Sequence, residues 1–217
     1  MPRQRLIILL VALVLAAIIG IALAPQVDRL VSRQAPDGEA STSVQTTGKP
    51  QVGGPFTLVD QTGKTVTDKD YRGRFMLIYF GFTFCPDVCP TELQVMAAAL
   101  EKLGARAEKV QPIFVTVDPE RDTPEAMARY VKQFDPRLVG LSGSPEQIAA
   151  IAKEYRVFYE KVKEEPAEGE AAKDAADDYT MDHSSVAYLM GPDGTFLTFF
   201  PPGVSPDQMA DKIASFL

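Results

Sequence analysis

Residues 75–90 read FMLIYFGFTFCPDVCP, and this stretch decides the fold. Phe75 to Phe82 is almost wholly apolar or aromatic, which suits a strand buried on both faces of a sheet. A helix is expected straight after the cysteine loop, with Pro90 at its first position and Gly104 just past its end. Pro86 biases Cys85 away from helical geometry, and Pro90 places Cys89 near the helix cap. Both sulfurs are therefore expected in a loop at a helix N-terminus, where backbone N–H groups and the helix dipole stabilise a thiolate.

Downstream, Gln111 to Val117 reads as the next strand, and Thr123-Pro124 caps and opens a helix to about Phe134. Leu138 to Leu141 suits a short strand. Ser144-Pro145-Glu146-Gln147 has the capping-box pattern of a helix reaching about Tyr155. Ser184 to Met190 and Thr195 to Phe200 read as strands joined by the turn Gly191-Pro192-Asp193-Gly194. Ser205-Pro206-Asp207-Gln208 repeats the cap and opens a terminal helix. Upstream, Phe56 to Val59 and Lys64 to Thr67 flank a turn and form an N-terminal hairpin. The order of elements is α/β, a central sheet covered by helices on both faces.

Two stretches lie outside that pattern. Glu160 to Asp178 is acidic and Ala-rich, lacks large apolar residues after Val162, and is expected to be a mobile loop. At the other end, Leu6 to Ala24 has no charged residue and is long enough to span a bilayer, following Arg3 and Arg5. Ala22-Leu23-Ala24 resembles a signal-peptide cleavage site, but the apolar run is long for that role and Pro25 is a poor residue at a scissile bond. The expected organisation is an anchor at 1–25, a linker at 26–54 and one domain at 55–217, with the N-terminus in the cytoplasm and the domain exported. The chain has 217 residues, 46% of them apolar, and a net charge of −7. That charge disfavours nucleic acid as a partner.

The chain has two cysteines and one histidine. A structural disulfide between Cys85 and Cys89 would close too short a loop to restrain the unfolded chain much. Thiol–disulfide exchange is a second reading, although the usual arrangement has two intervening residues rather than three. The third is soft-metal coordination: two thiolates favour Cu(I), Zn or related ions, and with His183 joining them from the loop before a late strand the set suits copper in either oxidation state.

Cys85-Pro86-Asp87-Val88-Cys89-Pro90, Val117-Asp118-Pro119-Glu120-Arg121-Asp122-Thr123-Pro124 and Asp182-His183-Ser184 together resemble the three signatures of the Sco/SenC family (synthesis of cytochrome c oxidase), in the family's order. The resemblance covers Gly54 to the C-terminus. It implies a thioredoxin-like fold, a single N-terminal transmembrane helix in the inner membrane and a domain in the periplasm. It further implies one bound copper ion held by Cys85, Cys89 and His183, with Asp118 and Asp182 in supporting positions. The implied role is a copper chaperone for the dinuclear copper centre of cytochrome c oxidase subunit II, with another periplasmic copper carrier as a further partner. The alternative is a thiol–disulfide oxidoreductase that reduces the client's cysteines. The acidic stretch before His183 looks longer than is typical of that family.

Overall fold

The computed structural model describes residues 51–163 and 179–217. The strands are β1 (Thr57–Asp60), β2 (Thr65–Thr67), β3 (Phe75–Gly81), β4 (Val110–Thr116), β5 (Val139–Ser142), β6 (Tyr159–Lys163), β7 (Tyr179–His183), β8 (Ala187–Met190) and β9 (Phe196–Phe200). The helices are α1 (Val88–Leu103), α2 (Pro124–Val131), α3 (Pro145–Tyr155) and α4 (Pro206–Ala214). Seven strands form one sheet in the order β2-β1-β5-β4-β3-β8-β9. Its centre, β3, β4 and β5, is parallel, and the pairs β1–β2, β1–β5, β3–β8 and β8–β9 are antiparallel.

Helices cover both faces, as expected from the α/β order. Tyr79 and Phe80 are consecutive on β3, so their side chains leave opposite faces of the sheet. Tyr79 stacks on Phe114, which tilts against Tyr130 of α2. Phe80 meets Tyr155 of α3 and Tyr188 of β8 on the other side. Helix α1 packs along α4. Every residue of β4 is buried and only Phe75 of β3 is not, which is why both read as continuous apolar runs.

The caps at Thr123, Ser144 and Ser205 are in place, each side chain accepting from the backbone N–H three residues on. Helix α2 stops at Val131, short of the expected Phe134. Helix α1 starts earlier than expected, with Asp87 as N-cap and Pro90 in its third position. The first intrahelical bond runs from Thr91 N to Asp87 O, so the N–H that Pro90 lacks would have had no helical partner. Cys89 is thus inside the first turn rather than in the preceding loop.

Two boundaries differ further. The folded chain extends before Pro55: Gly53 N donates to Glu154 O at 2.8 Å, and Gln51 O accepts from Arg156 Nε. The second difference concerns the stretch before the histidine. Tyr159–Lys163 is a strand, pairing antiparallel with Tyr179–His183 in a separate two-stranded sheet. So His183 ends a strand, β7, and β8 begins only at Ala187. Residues 164–178 of the expected acidic loop lie outside the described residues. So do Leu6 to Ala24 and most of the expected linker; among the described residues no helix is long and apolar enough to cross a membrane.

Candidate metal centre

The site forms where β3 ends. Gly81 is buried against Cys89 and Phe114: a Cβ placed on it would lie 2.8 Å from Cys89 Sγ and 2.9 Å from Phe114 Cε2. Only a residue without a side chain lets α1 bring its first turn so close to the strand. Beyond Gly81 the chain is fixed by a carboxylate from another loop. Asp122, fully buried, accepts from Thr83 N at 3.0 Å, Thr83 Oγ1 at 2.5 Å and Thr116 Oγ1 at 2.6 Å. Burial pushes the Asp122 carboxyl above its ordinary range, and the Thr116 and Thr83 hydrogen bonds only partly offset this.

Both cysteines are free thiols, Cys89 buried and Cys85 half-buried. Cys89 N, one of the unpaired amides of the first helical turn, donates to Cys85 Sγ at 3.3 Å. The hydrogen bond from the Cys89 side chain, opposed by burial and aided by His183 and by the Cys89 and Asp87 amides, pushes the Cys85 thiol down to about 4. Cys89 moves the other way, since the neighbouring Cys85 sulfur and its own burial disfavour a second negative charge.

His183 reaches this pair from β7. Its Nε2 lies 3.4 Å from Cys89 Sγ, and its Nδ1 lies 3.2 Å from Ser184 O. A carbonyl oxygen only accepts, so the ring proton belongs on Nδ1, and the Nε2 lone pair faces the sulfur. Tyr79 and Phe82 stand edge-on around the ring, with centroids at 6.3 Å and 5.8 Å. Among the described residues no three His, Cys, Asp or Glu side chains are already grouped as a metal site. The Cys85 sulfur nonetheless neighbours both Cys89 and His183.

The two supporting aspartates have different positions. Asp182 is exposed and paired across from Glu160, on the opposite face of β7 from His183. The carbonyl of Ser184, not Asp182, orients the imidazole. Asp118 is 1% exposed and accepts from Arg121 Nε at 2.5 Å and from Tyr179 Oη at 2.8 Å. Arg121 Nη1 donates to Tyr179 O, and the guanidinium lies 3.7 Å from the Tyr179 ring centroid and 4.6 Å from that of Phe84. Asp118 and Arg121 thus fasten the start of the histidine strand to the cysteine loop without touching the sulfurs.

A family model described as SCO1/SenC matches residues 44–217. The chain belongs to the SCO1/SenC family. It is 45% identical over 172 residues to the human mitochondrial SCO1 homolog, covering 78% of this chain and 54% of that protein. The chain spans about half the length of the first curated relatives it matches. Among solved structures, Bradyrhizobium japonicum ScoI with copper bound is 46% identical at a TM-score of 0.67, covering 76% of this chain and 99% of that one. BsSco, described as having a disulfide switch and as a member of the Sco family of cytochrome c oxidase assembly proteins, is 28% identical at a TM-score of 0.57. It covers 78% of this chain and 97% of its own. The mixed sheet flanked by helices is the thioredoxin-like SCO1/SenC architecture.

Sequence reading of this SCO1/SenC chain did not single out Gly81, Tyr79, Asp122, Arg121 or Tyr179 as parts of the site. Asp122 and Arg121 lie in the same signature as Asp118, which was the available signal. Nothing local in the sequence marked Gly81 or Tyr79, whose roles come from packing against α1 and β7.

Proposed function

We propose that this SCO1/SenC protein is a copper chaperone holding one copper ion through Cys85, Cys89 and His183. The observation that carries the reading is the Cys89 Sγ to His183 Nε2 contact, with the ring proton parked on Nδ1. That tautomer leaves Nε2 free to ligate. A low-lying Cys85 thiol supplies the second sulfur already ionised. The residues fit copper in both oxidation states: two thiolates satisfy soft Cu(I), and the imidazole adds the nitrogen that Cu(II) prefers. Loading releases the Cys89 proton, because the metal ligand is the thiolate.

The client is cytochrome c oxidase subunit II, whose dinuclear copper centre the protein helps assemble, with another periplasmic copper carrier as a further partner. Residues 6–24 anchor the chain in the inner membrane with the domain in the periplasm. Support for the copper comes from relatives solved with copper bound, and support for the oxidase from the family to which BsSco is assigned. Support for the anchor comes from its apolar sequence after Arg3 and Arg5.

A second reading is favoured by one observation. A half-buried Cys85 with a depressed thiol beside a buried partner has the reactivity profile of a thiol–disulfide reductase. Copper titration of the purified, reduced full-length chain separates the two readings. His183→Ala should lose Cu(II) far more than Cu(I), while Cys85→Ser and Cys89→Ser should lose both. In cells, full oxidase activity of His183→Ala under copper limitation, with the cysteine variants inactive, would transfer the role to the reductase. Protease added to spheroplasts should digest the domain if it faces the periplasm.

A further inference from the structure

Tyr79 is wholly buried in the middle of β3, and its hydroxyl makes no well-formed hydrogen bond although the Ser185 and Cys89 side chains stand beside it. An unpaired hydroxyl in a protein interior is unfavourable, and buried tyrosines normally find a partner. The surroundings of the ring indicate where that partner is to be found. Tyr79 and Gly81 share one face of β3. The point where Gly81 would carry a Cβ lies 2.8 Å from Cys89 Sγ and 3.2 Å from Tyr79 Cε1. The same ring stands edge-on to His183. Tyr79 therefore borders both the buried sulfur and the imidazole. A thiol sulfur is a weak acceptor, whereas the thiolate that ligates a metal is a charged and much stronger one.

We propose that Tyr79 is a positioning residue for the metal centre, its hydroxyl donating to Cys89 Sγ once that sulfur is a metal-bound thiolate. Loading exchanges the Cys89 S–H bond for a sulfur–metal bond and releases that proton to solvent, while the phenol keeps its own. This inference rests on the copper reading above and adds a group that favours the loaded state over the empty one. The hydroxyl then acts with opposite sign in the two states. Without metal it is an unsatisfied polar atom, so removing it relieves the fold. With metal it is a charge-assisted donor, so removing it weakens the site.

The test is Tyr79→Phe in the full-length chain, with Tyr130→Phe as control. Tyr130 carries a second buried hydroxyl without a partner, but its ring packs on Phe114 and Phe134 rather than on the imidazole. Metal-free Tyr79→Phe should melt no lower than wild type. Its Cu(I) affinity, read by competition with a chromophoric Cu(I) chelator, should fall by about tenfold. Its Cu(II)–thiolate charge-transfer band should move to lower energy, since the sulfur lone pair is no longer stabilised. Tyr130→Phe should change neither reading. Wild-type affinity and an unshifted band in Tyr79→Phe would overturn the inference, and copper loss in Cys89→Ser would show that the copper reading still stands. A lower melting point of metal-free Tyr79→Phe, or equal weakening by Tyr130→Phe, would also overturn it. Failure of wild type to bind copper would overturn both.

Discussion

Gly81→Ala places a methyl group where the strand, the first turn of α1 and the aromatic floor of the site converge. The new carbon would sit 2.8 Å from Cys89 Sγ, 2.9 Å from Phe114 Cε2 and 3.2 Å from Tyr79 Cε1. Favourable contact between such atoms begins at about 3.5 Å, so the first two must retreat by roughly 0.6–0.7 Å. Phe114 cannot yield freely, because it is stacked on Tyr79 and tilted against Tyr130. Overpacking of this kind costs about 1–3 kcal/mol. The Cys89 sulfur is the other atom that must move, and it stands only 3.4 Å from His183 Nε2. Urea unfolding of the metal-free chain should show a lower midpoint at unchanged slope, and copper affinity should fall as well. The cause is steric, so Cys89→Ala in the same chain should recover part of the stability. The double mutant should be less destabilised than the sum of the singles by about 0.5 kcal/mol or more. Wild-type stability in Gly81→Ala, or strict additivity with Cys89→Ala, would refute the close approach of strand and helix.

Asp118→Ala should cost about 3 kcal/mol in urea unfolding, since it leaves the largely buried Arg121 without its counter-charge and the Tyr179 hydroxyl without its acceptor. Amide exchange over residues 179–183 should quicken with it; unchanged exchange there would mean that the clasp does not hold β7. Iodoacetamide should label Cys85 at a rate nearly constant between about pH 6 and pH 8, because its thiol is pushed down to about 4. A tenfold rise per pH unit would show an ordinary thiol instead. Asp122 titrates above its ordinary value in the fold, so its contribution to stability is fully present below about pH 4 and is lost as pH rises through the folded value. The deficit of Asp122→Asn relative to wild type, from urea curves, should therefore shrink between about pH 4 and pH 7. A deficit that grows with pH would contradict the raised carboxyl.

The parts of this molecule that were legible in the sequence are those whose cause is local. Ser144 and Ser205 announce their helices because a cap and its Gln three residues on bond within one turn. The runs at 75–82 and 111–117 read as strands because burial on both faces leaves no polar position to confuse the period. Cys85, Cys89 and His183 stood out by their chemistry, and the fold brings Cys89 and His183 into contact. What was missed depends on distant partners. Tyr159–Lys163 carries mostly exposed, charged residues and pairs only because β7 lies beside it, held by Arg121 and Asp118 from a different loop. Pro90 lies two positions further into its helix than expected, because proline is equally free of an N–H obligation anywhere in the first helical turn. Asp182, expected in a supporting position, lies on the other face of β7 from the imidazole, because strand alternation sends adjacent side chains to opposite faces.

The separate ribbon of β6 and β7 makes the donor set unequal. Cys85 and Cys89 belong to the body of the domain, next to β3 and α1, and moving them means disturbing the core. His183 rides on two strands outside the main sheet, and such a pair has little stability of its own in water. Its hold comes from the Arg121–Asp118–Tyr179 clasp, the exposed Lys161–Glu120 pair and the ladder through Ser184 and Phe158. Lifting the imidazole from the sulfurs therefore requires the breaking of those side-chain and edge contacts and the withdrawal of Met181 from the core, with Tyr159 and Tyr179 that pack against it. On the copper reading proposed above, such a site has a preferred order of dismantling, nitrogen first and sulfur last. A recipient that loosens the ribbon would leave its cargo on two exchangeable thiolates, with the core still folded behind them.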